Sequence, residues 1–121
     1  MKSILLIEDD PFLIDIYTTK LKGAGFLVQV ALDGEEGLRK IKNKKPDLLV
    51  LDIVLPHFTG LEFLKKIKSS SKLKKIPVVI LSNLGQKREI EEGLRLGAMK
   101  YLIKAHFTPS EVVKEIKEIL K

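Results

Sequence analysis

The feature that most constrains the fold of this sequence is its regular alternation of short apolar runs with amphipathic segments. Four of the five runs are continuous or nearly so, which is typical of strands buried on both faces of a parallel sheet. The runs are residues 3–8, 26–31, 48–52, 77–81 and 101–104. Five strand–helix units joined by right-handed crossovers predict an α/β fold: a doubly wound, five-stranded parallel sheet with helices on both faces. The length suits one domain over residues 1–121.

Helix start signals stand between the apolar runs. Asp10-Pro11 combines an N-cap with proline at the first helical position. The other start signals pair a capping residue with an acid three positions later: Asp33 with Glu36, Thr59 with Glu62, and Thr108 with Glu111. A helix is also predicted over residues 86–96 from the apolar spacing of Ile90 and Leu94.

The composition excludes several classes of function. There is no cysteine, so disulfides and thiolate zinc sites are excluded, and a reducing cytoplasm is the expected location. No apolar run approaches the roughly 20 residues that span a bilayer, so no membrane insertion is expected. The net charge of +6 comes mainly from lysine, and there are only three arginines and no glycine- and aromatic-rich RNA signature. Direct nucleic-acid binding is therefore not expected.

Two lysine clusters account for much of the positive charge. They are Lys40, Lys42, Lys44, Lys45 and Lys65, Lys66, Lys68, Lys72, Lys74, Lys75. Both follow or end predicted helices, where cations complement the helix dipole, and this is the favoured explanation. The alternative is a single basic patch, at the sheet edge away from Asp52, that binds an acidic partner.

Polar residues follow the apolar runs at the positions where strands are predicted to end. Glu8, Asp9 and Asp10 follow the first run and Asp52 ends the third. Ser82 and Asn83 follow the fourth run, and Lys104 ends the fifth. Sites in open parallel sheets form beyond the carboxyl ends of the strands. If the first and third strands are neighbours, Glu8, Asp9 and Asp52 converge.

Such a cluster favours a specific chemistry. Crowded carboxylates either raise a pKa or bind a cation, and hard oxygen ligands without histidine or cysteine favour Mg²⁺. A lysine and a hydroxyl suit the anionic oxygens of a phosphoryl group. Taken singly, Asp10 is explained as a helix cap and Asp52 as a turn former. Taken together, the residues indicate metal-assisted phosphoryl chemistry with a carboxylate as possible nucleophile.

The sequence resembles the response-regulator receiver domain of two-component signal transduction over essentially its whole length. The resemblance rests on LLIEDDP, LLVLDIVLPHFTG, PVVILSN and GAMKYLIK, together with the five-unit order. It implies the flavodoxin-like strand order 2-1-3-4-5. It also implies a phosphoprotein that acts as a regulatory switch rather than an enzyme on metabolites. The expected partners are a sensor histidine kinase or phosphotransfer protein and a downstream protein target, contacted through the fourth helix, fifth strand and fifth helix.

The resemblance also implies a role for each site residue. These are Asp52 as phosphoacceptor, Asp9 as direct Mg²⁺ ligand, Glu8 as a ligand acting largely through water, the backbone carbonyl of Val54 as a further ligand, Ser82 as switch hydroxyl, Lys104 as the cation that pairs with the phosphate, and Tyr101 as switch aromatic.

The chain departs from the family pattern at several positions. Ala105 follows Lys104 where the family usually has a proline in a cis peptide, which predicts either a trans peptide with an adjusted loop or a cis peptide held by the site. Val54 and Leu84 are apolar at positions that tune acyl-phosphate hydrolysis, which predicts a long-lived phosphorylated form. Asn83 stands where a smaller residue is usual and is expected to narrow access to Asp52.

Other functions remain as alternatives. A pseudo-receiver would bind partners without phosphorylation, but it would not require the complete acid, hydroxyl and lysine set. An aspartate-dependent phosphohydrolase needs an acid where Val54 stands. A flavodoxin-like cofactor site needs a phosphate-cradling loop where this chain has three acids.

The histidines and phenylalanines have structural interpretations. His57 and His106 are interpreted as loop residues. Phe12, Phe63 and Phe107 are interpreted as core or rim packing residues, and Phe58 as a hydrophobic staple beside Thr59.

Overall fold

The computed structural model describes all 121 residues and shows a five-stranded parallel sheet in the order β2-β1-β3-β4-β5. The strands are β1 (Ser3–Ile7), β2 (Leu27–Ala31), β3 (Leu48–Leu51), β4 (Val78–Ser82) and β5 (Lys100–Ile103). The helices are α1 (Pro11–Gly23), α2 (Gly34–Asn43), α3 (Gly60–Lys68), α4 (Lys87–Arg95) and α5 (Pro109–Leu120), and a 3₁₀ turn covers Lys104–His106. The predicted fold class and strand order are confirmed. None of the helices combines the length and the apolar character needed to cross a membrane.

The sheet separates two apolar layers. On one face, Ile41 of α2 and Phe63 of α3 pack with Leu5 and Ile7 of β1. On the other face, residues of α1 and α5, such as Tyr17, pack with the remaining strand side chains. The central strands β1, β3 and β4 are buried on both sides because their side chains alternate between these two layers, whereas the edge strand β2 is partly exposed. The continuous apolar runs in the sequence follow from this arrangement.

Helix α4 packs differently from the predicted apolar stripe. Leu94, expected on its buried face, is 45% exposed. Gly93 is the buried residue of this helix, and a Cβ there would meet the side chains of Ile80 and Tyr101. The absence of a side chain at Gly93 brings the helix close to β4 and β5, so Leu94 is left facing solvent.

The predicted capping interactions are present. Asp10 accepts hydrogen bonds from Phe12 N and Leu13 N, and Asp33 accepts one from Glu36 N. Thr59 and Thr108 each form a reciprocal capping box with the glutamate three residues later. These caps satisfy backbone donors in the first turns, so they fix where the helices begin relative to the strand ends.

The aromatic residues divide between the core and the surface. The rings of Phe58 and Phe63 stack with centroids 6.5 Å apart, which confirms the hydrophobic staple at the start of α3. Phe63 is fully buried, whereas Phe12 is 72% exposed at the start of α1 and does not belong to the core.

The β3–α3 loop, which follows Asp52, is folded tightly. Phe58 N donates to Pro56 O over 3.0 Å, so His57 sits at the centre of a three-residue turn with φ of 73°. Gly60 N donates to Ile53 O over 2.8 Å, and a Cβ at Gly60 would overlap the backbone carbonyl oxygen of Asp52. Glycine is therefore required at position 60 for the loop to fold back against the end of β3.

His57→Gly is expected to stabilise the protein by about 1 kcal/mol, because a non-glycine residue is strained at positive φ and glycine is not. Urea-induced unfolding measures this change. His57→Ala keeps the Cβ and is the matched control, for which little change is expected. A glycine variant no more stable than the alanine variant would show that the turn is unstrained.

Candidate functional site

The centre of the candidate site is a buried cluster of two acids and one lysine. Glu8 directly follows β1 and is 2% exposed, and Asp52 directly follows β3 and is 6% exposed. Lys104, directly after β5, donates from Nζ to Glu8 Oε1 over 2.7 Å and to Asp52 Oδ2 over 2.9 Å. The parallel register sets Ile7 beside Leu51, so the acids that follow these two residues leave the sheet side by side.

The acids form a possible cation site. Ligand oxygens of Glu8, Asp9 and Asp52 lie within 4.8 Å of one another, and Asp9 is the exposed member. Asp10 lines the same cavity, of about 270 Å³, but its Oδ1 is committed to capping α1. The structure therefore brings together Glu8, Asp9 and Asp52, the three acids that the sequence predicted to converge. Asp10 lies nearby, but its carboxylate caps α1 and is not part of this group.

The ionisation of the cluster reflects burial and charge together. Burial raises the pKa of Glu8, repulsion from Asp52 adds to this, and the hydrogen bond from Lys104 opposes it. Burial by itself would lower the pKa of Lys104, but its hydrogen bonds to Glu8 and Asp52 hold that pKa above its usual value. The lysine is thus firmly cationic, and two carboxylates share one ammonium.

Glu8→Gln is expected to increase the free energy of unfolding at neutral pH in the presence of EDTA. The folded-state pKa of Glu8 is raised above its ordinary 4.5, so folding penalises the charged form. The penalty is absent at low pH and develops as the pH rises through 4.5 towards the raised value. Denaturant titrations at neutral pH and at acidic pH measure the difference.

At acidic pH the variant and the unmodified protein should converge, because Glu8 is protonated in both the folded and unfolded states. Glu35→Gln changes an exposed acid in the first turn of α2 and serves as the control. Destabilisation by Glu8→Gln at neutral pH would show that the Lys104 ion pair outweighs the desolvation of Glu8.

Ser82 and Tyr101 are joined through the backbone of one residue. Ser82, the last residue of β4, is fully buried, and its Oγ accepts a hydrogen bond from Leu84 N over 3.2 Å. The half-buried hydroxyl of Tyr101 donates to Leu84 O. Burial is the main cause of the raised pKa of Tyr101. Ser82 and Tyr101 thus hydrogen-bond to the N–H and the carbonyl of the same residue.

Two further positions of the site bear on the predicted departures. Val54 lines the cavity, its side chain is 60% exposed, and its backbone N donates to Asp52 Oδ1 over 3.2 Å. The Lys104–Ala105 peptide is trans, since the chain contains no cis peptide bond. Of the two expected alternatives, the structure has the trans peptide, and the chain continues into the 3₁₀ turn.

Tyr17 of α1 was not assigned to the site from the sequence. The structure buries it, and its hydroxyl lies within the electrostatic influence of Lys104, Glu8 and Asp52. Burial is the main cause of its raised pKa. The sequence signal was weak, because an aromatic residue at helical spacing is explained equally well by core packing.

Known proteins resemble this chain along its whole length. The response regulator receiver domain matches residues 4–117. The alkaline phosphatase synthesis transcriptional regulatory protein PhoP of Bacillus subtilis is 35% identical over 120 residues, covering 99% of this chain and 49% of PhoP. The phosphate regulon transcriptional regulatory protein PhoB of Escherichia coli is 32% identical, covering 99% of this chain and 52% of PhoB. The chain thus spans about half the length of these curated relatives.

Solved structures of similar size superpose closely. A putative response regulator from Chloroflexus aurantiacus has a TM-score of 0.91 at 33% identity. The superposition covers 98% of this chain and 97% of that chain. The Vibrio cholerae chemotaxis protein CheY4 has a TM-score of 0.91 at 28% identity, with 98% of both chains covered. Sequence, topology and site geometry lead to one conclusion: the chain belongs to the response regulator receiver domain family.

Proposed function

We propose that this domain is a phosphorylatable switch in which Asp52 accepts a phosphoryl group from a histidine kinase or phosphotransfer protein. One observation carries the proposal. Lys104 bridges Glu8 and Asp52 at the carboxyl end of the sheet, and Asp9 brings a third carboxylate within 4.8 Å. A purely structural ion pair would not require the further acid, or a solvent-accessible cavity beside the buried aspartate.

The donor set of this cavity fits Mg²⁺. Glu8, Asp9 and Asp52 offer only hard oxygen ligands, and the backbone carbonyl of Val54 is proposed to complete the protein's share. Bound Mg²⁺ would offset the repulsion between these carboxylates and an incoming phosphate. Lys104 supplies only one positive charge to two buried acids, so a cation is electrostatically favourable at this position.

Asp52 is the proposed nucleophile. One of its carboxylate oxygens is held by Lys104 and the other by Val54 N. In the transfer, a bond forms between a carboxylate oxygen and phosphorus as the phosphorus–nitrogen bond of the donor's phosphohistidine breaks. The imidazole leaves with the bonding electron pair and takes up a proton. Lys104 is then available to contact the new phosphoryl oxygens.

Ser82 and Tyr101 are proposed to convey the modification. Ser82 Oγ accepts from Leu84 N, and its hydroxyl proton is proposed to be donated to a phosphoryl oxygen. That contact exists only in the phosphorylated state and so shifts the balance between two conformations. Tyr101 holds the carbonyl of the same Leu84, so rearrangement of this residue would carry the change to β5.

The proposed output surface consists of α4, β5 and α5, and it contacts a downstream protein. Leu94 and Met99 expose apolar side chains there, 45% and 56% accessible, and Lys100 pairs with Glu115 of α5 over 2.9 Å. Exposed apolar groups near an ion pair suit a protein partner. The expected location of the domain remains the cytoplasm.

The proposal is tested by incubating the protein with acetyl phosphate in Mg²⁺ and, separately, in EDTA. Intact-mass spectrometry is expected to show the addition of one phosphoryl group in Mg²⁺ only. Addition in EDTA at the same rate would refute the metal requirement. Failure to add phosphate in Mg²⁺, from either acetyl phosphate or a phosphorylated histidine donor, would refute the switch.

A further inference from the structure

A second cavity lies at the end of the sheet opposite Asp52, and the proposed switch does not use it. It has a volume of about 520 Å³ and lies where β1 and β2 begin. Cavities of about 300–1,000 Å³ commonly hold small molecules. Its apolar lining includes Phe26, Leu27 and Val28, and Leu27 is 46% exposed. The cavity therefore offers solvent-accessible apolar surface in a concave setting.

Three lysines provide all the charged side chains that line this cavity. Lys22 comes from the last turn of α1, and Lys44 and Lys45 follow α2. None of the three forms an ion pair, although Lys45 Nζ donates to Lys72 O over 3.1 Å. Complementing the helix dipoles explains why cations follow these helices, but it does not explain an apolar cavity between them.

The nearby acid does not neutralise these lysines. Asp47 accepts hydrogen bonds from the backbone N and the hydroxyl of Ser3, over 2.7 Å and 3.3 Å. These bonds to Ser3 hold the pKa of Asp47 below its usual range. Its carboxylate is thus firmly ionised and hydrogen-bonded to Ser3, and its single charge offsets only part of the charge of the three lysines.

The exposed edge of β2 favours a small molecule over an added strand. An added strand would need free backbone groups along β2. Lys40 Nζ donates to Val30 O and occupies one of them, which is a common way of protecting a sheet edge. The cavity beside Leu27 and Val28 is not lined by Lys40 and remains open.

We propose that this cavity binds a small amphipathic organic anion, with an apolar body against Phe26, Leu27 and Val28 and a carboxylate among Lys22, Lys44 and Lys45. The apolar lining supplies affinity that grows with the length of the hydrocarbon body. The cationic rim selects the sign of the head group.

Calorimetric titration of the full chain with octanoate and decanoate, below their micelle concentrations, tests the proposal. Each added methylene is expected to strengthen binding by about fourfold while it is buried. Decyltrimethylammonium has a similar body and the opposite charge and should not bind. Amide chemical-shift changes with decanoate should centre on residues 26–29 and on Lys44 and Lys45.

Lys44→Glu/Lys45→Glu is expected to weaken decanoate binding by at least about tenfold, because the charge near the carboxylate is reversed. Lys65→Glu/Lys66→Glu makes the same net change of charge on exposed residues of α3 and should leave binding unaltered.

The proposal is overturned by an equal loss of decanoate affinity in both variants, by affinity that does not depend on hydrocarbon length, or by chemical-shift changes elsewhere in the protein. Binding to anionic vesicles without decanoate binding would assign the surface to a membrane and also overturn it. If the Lys44→Glu/Lys45→Glu protein fails to fold, the dependence of affinity on hydrocarbon length and the map of amide chemical-shift changes still test the proposal.

Discussion

Asp52→Asn is expected to abolish phosphoryl uptake completely. The amide has nearly the shape of the carboxylate, and its oxygen can still accept the hydrogen bond from Val54 N, which is 3.2 Å from Asp52 Oδ1 in the structure. It is not nucleophilic, however, and it removes one of the three charges that are proposed to hold Mg²⁺. Lys104 keeps its second partner, Glu8, so the fold of the site should survive.

The measurement is intact-mass spectrometry after incubation with acetyl phosphate and Mg²⁺. Asp47→Asn is the matched control, because it makes the same chemical change at the opposite edge of the sheet and should leave uptake intact. Continued phosphorylation of the Asp52→Asn protein would place the acceptor elsewhere, and peptide mapping would then identify it.

The phosphorylated form is expected to persist for an hour or longer in Mg²⁺. Hydrolysis requires a water held in line with the acyl phosphate, and positioning a reactant is a large part of any rate. The resemblance to the family implies this role for the positions of Val54 and Leu84, and neither side chain can hydrogen-bond to water. Val54 is 60% exposed and lines the cavity beside Asp52, and its apolar side chain cannot direct a water molecule.

Val54→Asn is expected to shorten the lifetime by at least about tenfold, since an amide can hold a water near the phosphoryl group. Val54→Ala is the control, because it opens the approach without adding a polar group. The decay is followed by mass spectrometry after the phosphodonor is removed. Decay within seconds in the unmodified protein would rule out the expectation. Equal acceleration by alanine and asparagine would show that steric shielding, not water orientation, sets the lifetime.

Much of the fold was determined by local sequence patterns. The continuous apolar runs predicted buried parallel strands, and the caps at Asp10, Thr59 and Thr108 marked helix starts that the structure confirms. These features can be inferred because they depend on residues close together in the chain. Leu94 shows the limit of such inference, because its exposure follows from how closely Gly93 lets α4 approach the sheet.

The sequence by itself also named the chemical groups of the site. It indicated that Glu8, Asp9, Asp52, Ser82 and Lys104 follow or end strands, and a parallel sheet gathers strand ends at one edge. It did not decide the partnerships among them. Only the tertiary structure shows that Lys104 bridges Glu8 and Asp52 and that the Lys104–Ala105 peptide is trans.

The sequence and the tertiary structure contribute differently because some properties depend on residues that are neighbours in the chain and others on residues that are far apart in it. Strand and helix patterns arise from the apolar periodicity of neighbouring residues. The Lys104 bridge joins residues 96 and 52 positions apart in the chain, so it depends on strand order, register and side-chain reach together. The lysine-rimmed cavity likewise exists only where the starts of β1 and β2 meet the ends of α1 and α2. The sequence determined which groups this protein carries, and the tertiary structure decided which of them act on one another.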